Sequence, residues 1–242
     1  CQAGMVWRPV RERDPGVLID MAARNLCSTG YDEISLLSLS SGDYTFIEPL
    51  LSFLMDRYYG ERVALALPSL RVETLTKKLM DDIRRVRKTS FTLAPEAGTQ
   101  RLRNVINKGN TEEELLKTVR GVFEAGWKAV KLYFMIGLPG ETAEDLEGIT
   151  SLAHKVLREG RHRAQVTVSL STFVPKPHTP LQWSRQITMA ETMEKHDYFR
   201  QAIRNRNISV KWHDSRMSLL EGMLSRGDEQ TGLLVEEAFR RG

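Results

Sequence analysis

Ala129-Val130-Lys131-Leu132-Tyr133-Phe134-Met135-Ile136-Gly137-Leu138-Pro139-Gly140-Glu141-Thr142-Ala143-Glu144-Asp145 runs from an apolar segment through a Gly- and Pro-containing loop into an acidic one. Its first eight residues read as a buried strand, rich in β-branched and aromatic types. Gly137-Leu138-Pro139-Gly140 stops that strand. Thr142 to Asp145 then carries the spacing of a helix-starting capping signal. The helix behind it repeats Leu146, Ile149, Leu152, Ala153 and Val156 on one stripe. Strand, Gly/Pro loop and amphipathic helix in immediate succession make a βα unit. Such units build a parallel sheet with helices on its faces.

The same unit repeats outward in both directions. Downstream, Val166 to Thr172 is a strand leading into Phe173-Val174-Pro175-Lys176-Pro177-His178-Thr179-Pro180. Upstream, Thr89 to Leu93 is a strand ending at Ala94-Pro95-Glu96-Ala97-Gly98, with a short helix through Arg101 and Ile106. A capping box at Thr111-Glu112-Glu113-Glu114 opens a helix reaching Gly126. Val63 to Leu67 is a strand stopped by Pro68, and Val72 to Val86 a helix. Glu33 to Leu39 is a strand broken by Ser40-Ser41-Gly42-Asp43, with a helix from Phe46 to Tyr59. Asp14 and Pro15 start a helix that Gly30 ends. Beyond residue 185 the pattern loosens: helix over Met189–Asn205, strand over Ile208–Trp212, short helix over Ser215–Leu224, then a polar tail. Five strands alternate with helices, and in a barrel of such units the loops after the strands gather at one end.

Bulk composition is that of a globular chain. The 242 residues are 41% hydrophobic and 27% charged, with a formal net charge of +4. No apolar run approaches the ~18 residues that a membrane span needs. The mild basicity permits an RNA or phosphate partner without requiring one. One dense basic run, Arg84-Arg85-Val86-Arg87-Lys88, reads as the solvated end of a helix. The two cysteines, Cys1 and Cys27, exclude a disulfide-stapled scaffold and suit a reducing cytoplasm. Cys27 falls within the first amphipathic helix and is expected as a packed core thiol. Cys1 opens a Gly- and Pro-containing stretch, Cys1-Gln2-Ala3-Gly4-Met5-Val6-Trp7-Arg8-Pro9, expected as a loop. Read alone, Cys1 is an exposed thiol. Glu96 with Arg101 and Arg103 is, on its own, a surface ion-pair group.

Taken together, Cys1-Gln2-Ala3-Gly4, Leu39-Ser40-Ser41-Gly42-Asp43, Ala94-Pro95-Glu96-Ala97-Gly98-Thr99-Gln100-Arg101-Leu102, Met135-Ile136-Gly137-Leu138-Pro139-Gly140-Glu141-Thr142 and Phe173 to Pro180 resemble radical S-adenosylmethionine (SAM) enzymes of the MiaB-like group. The resemblance spans about the first 185 residues. It is strongest to radical SAM proteins that carry a cobalamin-binding-like domain upstream.

That resemblance implies an α/β fold: a partial (β/α)6 TIM-like barrel whose first strand is missing. Residues 1–185 would form the core and residues 186–242 a helical and strand extension with a polar tail. It implies a [4Fe-4S] cluster held by three cysteines in a CxxxCxxC loop, with one iron left open for SAM. Cys1 matches the third of these cysteines, so the chain reads as a fragment whose other two ligands lie upstream. As it stands, it is expected to be inactive and not to hold a cluster stably. Ser41, Gly42 and Asp43 match the turn whose backbone meets the methionine amino group, with Ser and Asp in place of Gly and Glu. Glu96 and Arg101 match polar contacts to the ribose and the methionine carboxylate. Gly137 and Glu141 match the adenine side, and Phe173 and Val174 match the backbone that reads the adenine edge. No catalytic side chain is assigned. The implied activity is generation of a 5′-deoxyadenosyl radical for hydrogen abstraction. The expected partners are a small-molecule or RNA substrate, a reductant such as flavodoxin or ferredoxin, and no membrane, with cobalamin as a further cofactor of the intact protein. The alternatives are an RNA-modifying methylthiotransferase, a non-catalytic RNA- or partner-binding barrel, and a phosphate-binding barrel enzyme using Glu96, Arg101 and the Gly-rich loop.

Overall fold

The computed structural model describes residues 2–38, 40–66, 91–161 and 164–242. Cys1, the helix expected over Val72–Val86 and the basic run Arg84-Arg85-Val86-Arg87-Lys88 lie outside these residues. In chain order the elements are α1 (Gln2–Val6), α2 (Pro15–Thr29), β1 (Glu33–Ser35), a 3-10 turn (Ser41–Asp43), α3 (Ile47–Tyr58), β2 (Ala64–Ala66) and β3 (Phe91–Glu96). After these come α4 (Gln100–Val105), α5 (Glu112–Glu124), β4 (Ala129–Ile136), α6 (Ala143–Glu159) and β5 (Gln165–Thr172). The chain finishes with α7 (Met189–Ala202), β6 (Ile208–Trp212), α8 (Ser215–Arg226) and α9 (Thr231–Arg241).

All strand pairings given by these residues are parallel. β1 pairs with β2, and β3-β4-β5-β6 form a four-stranded sheet in chain order. The α/β class with parallel strands is the one the sequence predicts. Among the described residues the hydrogen bonding forms these two sheets and does not close into a cylinder.

Local chemistry explains the element ends. Asp14 accepts a hydrogen bond from the Gly16 N–H at 2.8 Å, Pro15 takes the first helical position, and Gly30 closes α2 in the left-handed conformation. The capping boxes Thr111/Glu114 and Thr188/Glu191 satisfy first-turn N–H groups of α5 and α7. In β4, Val130, Leu132, Phe134 and Ile136 are buried and alternate with half-buried Lys131, Tyr133 and Met135. The buried set joins Leu93, Val168 and Leu170 of the neighbouring strands with Leu115 and Val119 of α5, Leu152 and Val156 of α6 and Phe199 of α7. A second cluster, Ala22, Leu50, Leu54, Tyr58 and Val63, packs α2 and α3 beside β1 and β2.

Several expectations change. Gln2–Val6 is a short helix and not a loop. Cys27 is exposed. The apolar stripe of α2 is Leu18, Ile19, Ala22 and Leu26, and Cys27 falls one residue past it, turned to solvent. β3 runs on from Leu93 through Pro95 to Glu96, where the register to β4 shifts. That irregularity accommodates a proline that cannot donate to a regular ladder. Residues 231–241 of the polar tail form a helix, although none of them is buried.

The packing that positions the rim is a backbone contact between α6 and the loop after β3. A Cβ on Gly98 would lie 2.1 Å from the Asp145 carbonyl oxygen and 2.4 Å from the Ile149 nitrogen. A Cβ on Gly148 would lie 2.8 Å from the carbonyl carbon and oxygen of Gly98. These are backbone atoms of a packed helix, so neither can yield cheaply. Gly98→Ala is expected to destabilise by about 2–3 kcal/mol through overpacking. Gly109→Ala, where a Cβ meets open space, is expected to leave stability within about 0.5 kcal/mol of wild type. Urea denaturation of both variants checks this.

Candidate functional site

Parallel strands bring their C-terminal ends to one edge of the sheet, and the register shows which residues meet there. Glu96 stands opposite Phe134, and Ile136 opposite Thr172. The loops after β3, β4 and β5 therefore leave side by side. Ala97, Leu102, Leu138 and Phe173 from those loops and α4 pack into one small apolar cluster. Of the sequence-predicted residues, Glu96, Arg101, Gly137, Glu141, Phe173 and Val174 thus lie on one rim.

Glu96 ends β3 with a φ of 70°, a left-handed backbone that is uncommon for a non-glycine residue and often marks a functional position. Burial pushes its carboxyl pKa up, and Lys108 works against that shift. The Lys108 ammonium lies 3.6 Å away. The partner of Glu96 is therefore Lys108 and not Arg101 or Arg103, as the ion-pair reading of the loop had it. Arg103 is buried, donating to the Ala97 carbonyl at 3.0 Å and the Gln100 side-chain oxygen at 3.2 Å.

Gly137 adopts a φ of 78°, and a Cβ there would strike the Ile187 side chain at 2.6 Å. Its N–H donates to Glu141 Oε2 at 2.9 Å, and Lys195 Nζ lies 2.7 Å from Glu141 Oε1. Glu141 is thereby a brace that folds the Gly137–Gly140 turn and ties it to α7. A cleft of about 550 Å³ opens between this turn and the start of α7, lined by Pro139, Ser184, Ile187, Glu194 and Lys195 among others. Phe173 donates its N–H to the Ile136 carbonyl at 2.8 Å, extending the β4–β5 pairing one residue onto the rim.

Ser41, Gly42 and Asp43 form the 3-10 turn that follows β1, a strand of the two-stranded sheet. Ser41 is buried and its hydroxyl donates to the Leu36 carbonyl at 3.3 Å. Strand pairing among the described residues does not link this turn to the rim of β3–β5. Cys1 lies outside the described residues.

The residue that sequence reading underrated is Asp145. It appears there only as part of a capping signal. Its side chain, 2% exposed, accepts from the Thr142 N–H at 2.8 Å and the Thr142 hydroxyl at 3.0 Å. It also accepts from the Thr99 hydroxyl and the Arg101 guanidinium. Arg101 donates further to the Gly140 carbonyl at 2.9 Å. One carboxylate thus fastens the loop after β3 to the loop after β4.

The model of the radical SAM superfamily matches residues 1–153 of this chain. The chain belongs to the radical SAM superfamily. An uncharacterised protein of Methanocaldococcus jannaschii is 33% identical over 230 residues, covering 95% of this chain and 49% of that protein. The tRNA-2-methylthio-N(6)-dimethylallyladenosine synthase of Desulforamulus reducens is 28% identical over 158 residues, covering 60% of this chain and 34% of the synthase. The chain therefore spans about half the length of the first relative and about a third of the second. Among solved structures, the sialic acid aldolase of Ruminococcus gnavus aligns with a TM-score of 0.38 at 11% identity, over 74% of this chain and 52% of the aldolase. The arginine decarboxylase of Paramecium bursaria Chlorella virus aligns with a TM-score of 0.36 at 11% identity, over 83% of this chain and 63% of the decarboxylase.

The superfamily implies a [4Fe-4S] cluster and SAM. Two cysteines do not make a three-thiolate site, and Cys27 faces solvent on α2; this chain's own thiols do not complete the cluster's ligand set. The rim does fit part of SAM. Arg101 uses Nη2 for Asp145 and Gly140. Its Nη1 and Nε donors have no partner among the described residues, and its side chain is about half exposed. A guanidinium oriented from behind in this way presents donors to a carboxylate. No helix among the described residues is long and apolar enough to cross a membrane.

Burial pushes the Asp145 pKa up, but the donors on Thr99, Thr142 and Arg101 outweigh it and hold the carboxyl below its usual value. A depressed folded-state value adds stability above the unfolded carboxylate pKa, and that stability is lost as pH falls through the folded one. Asp145→Asn is expected to cost about 2 kcal/mol at pH 7, or roughly 4–8 °C in Tm. The gap to wild type should narrow as pH falls below about 4. Thermal melts of both proteins from pH 7 to pH 3 measure it.

Proposed function

We propose that this chain is the SAM-binding core of a radical SAM enzyme that abstracts hydrogen from an organic substrate. SAM bound at a reduced [4Fe-4S] cluster supplies a 5′-deoxyadenosyl radical in such enzymes; the protein's task is binding, orientation and exclusion of water. Cys1 is a cluster ligand in this reading, and the remaining thiolates come from elsewhere in the intact protein. Arg101, held from behind by Asp145, takes the methionine carboxylate. Glu96 takes a ribose hydroxyl, where a half-buried carboxylate is a strong acceptor. The Gly137–Glu141 turn and the backbone at Phe173 and Val174 flank the adenine. Ser41, Gly42 and Asp43 take the methionine amino group through backbone contacts. A flavodoxin or ferredoxin serves as electron donor, in the cytoplasm. Cobalamin belongs to this proposal only as a cofactor of an upstream domain in the intact protein.

The observation that carries this reading is the family match over residues 1–153, supported by the gathering of Glu96, Arg101, Gly137 and Phe173 on one rim. A second reading, modification of RNA, draws on the similarity to the Desulforamulus reducens tRNA synthase. The two differ in substrate and share the SAM chemistry.

The test uses the intact protein, reconstituted anaerobically with iron and sulfide and reduced with dithionite. Formation of 5′-deoxyadenosine from SAM is the expected result. A protein that carries a full cluster yet leaves SAM uncleaved and unbound would overturn the proposal. In the same preparation Arg101→Lys is expected to weaken SAM binding by ten-fold or more in calorimetry with cluster content unchanged. An affinity within about two-fold of wild type removes Arg101 from the site.

A further inference from the structure

The four-stranded sheet has two unlike faces. Most residues that alternate with the helix-packed set are polar, Ala129 and Met135 of β4 being exceptions, and register aligns them in rows, because parallel partners share a face. Thr92, Lys131, Thr167 and Ser209 stand side by side on β3, β4, β5 and β6. Two residues further along, Tyr133, Ser169 and Lys211 form the next row. In an (β/α) barrel this face is normally filled by layers of bulky branched apolar side chains. Here it carries hydroxyls and two ammonium groups.

Lys131 is not a solvated surface lysine. It is half-buried, its Nζ donates to the Tyr133 hydroxyl at 2.7 Å, and the ammonium sits 4.4 Å from the centre of the Tyr133 ring. The side chain therefore leans along β4 toward the C-terminal rim. Among the described residues no carboxylate pairs with Lys131 or Lys211. The acid at the nearby rim, Glu96, is matched to Lys108. A half-buried ammonium with no carboxylate paired to it among the described residues offers an anion a counter-charge. The Tyr133 hydroxyl, Ser169 and Lys211 in the next row add further donors.

We propose that this face binds a carboxylate or phosphate group of a small substrate, gripped by Lys131 Nζ and the Tyr133 hydroxyl, with Lys211 as a second cation. Tyr133 lies four positions before Gly137, which puts the pair roughly 13 Å below the rim loops at ~3.3 Å per residue. That depth suits the end group of a small molecule, gripped at half-buried Lys131 with exposed Lys211 on the edge strand β6. The inference rests on the radical SAM reading only for its claim that the bound anion belongs to a substrate.

The test is calorimetric titration of the intact protein with inorganic phosphate and with malonate, with and without saturating SAM. Saturable binding of at least one anion is expected, undisturbed by SAM. Lys131→Met should weaken it ten-fold or more, and Lys131→Arg should recover it to within about three-fold. Lys117→Met, on the exposed side of α5, should change nothing. The inference is overturned by absence of saturable binding, by displacement of the anion with SAM, by unchanged binding in Lys131→Met, or by an equal loss in Lys117→Met. Circular dichroism of each variant identifies misfolding, in which case Lys131→Arg alone decides. SAM cleavage without anion binding refutes this inference and leaves the enzyme reading standing; anion binding without SAM cleavage does the reverse.

Discussion

The Asp145 carboxylate is the constraint on which the rim depends. It opens α6 by accepting from Thr142, and it holds Thr99 and Arg101 across 46 and 44 residues of sequence. Thr99 in turn caps α4, accepting from the Leu102 N–H at 3.2 Å. Two helix starts and two strand-end loops thus share one buried anion. Burying that charge is costly unless its lone pairs are filled, and here four donor groups fill them. The glycine contact between Gly98 and Gly148 brings the backbones close enough for those donors to reach.

This fastening has a consequence for Glu96. A left-handed backbone at a strand end persists only where its surroundings hold it. Leu93 anchors β3 in the core below, and Ala97 and Leu102 anchor the chain above, in the cluster shared with Leu138 and Phe173. Glu141 plays the matching part after β4, bracing its own turn and reaching Lys195 on α7. The rim is a set of loops held by buried carboxylates on rigid elements, the arrangement that keeps ligand contacts in place.

The sheet beneath adds a second division of labour. Its helix-covered face carries Leu93, Val130, Leu132, Phe134, Val168 and Leu170 in one continuous core, and that burial supplies the main driving force for this half of the fold. The opposite face carries Thr92, Lys131, Tyr133, Thr167, Ser169, Ser209 and Lys211, together with Ala129 and Met135. Parallel sheets in α/β proteins are usually apolar on both faces; β4 departs from that at Lys131 and Tyr133.

Much of this was legible in the residues themselves. β4 and β6 have the bounds that periodicity predicts, and α2, α5 and α6 begin at Asp14, Thr111 and Thr142. Those signals are local: a cap acts over three residues and a stripe over four, so sequence alone settles them. The superfamily was legible as well, because Ala94 to Leu102, Met135 to Thr142 and Phe173 to Pro180 keep their order and spacing along the chain. The pairing of ions was not. Glu96 and Arg101 are five apart, yet the left-handed turn at Glu96 sends its carboxylate to Lys108, and α4 carries Arg101 the other way to Asp145. Cys27 missed the core by one residue of helical phase. The partner of each rim group and the rows that line each face of the sheet depend on which strands lie side by side, and only the tertiary structure decides that.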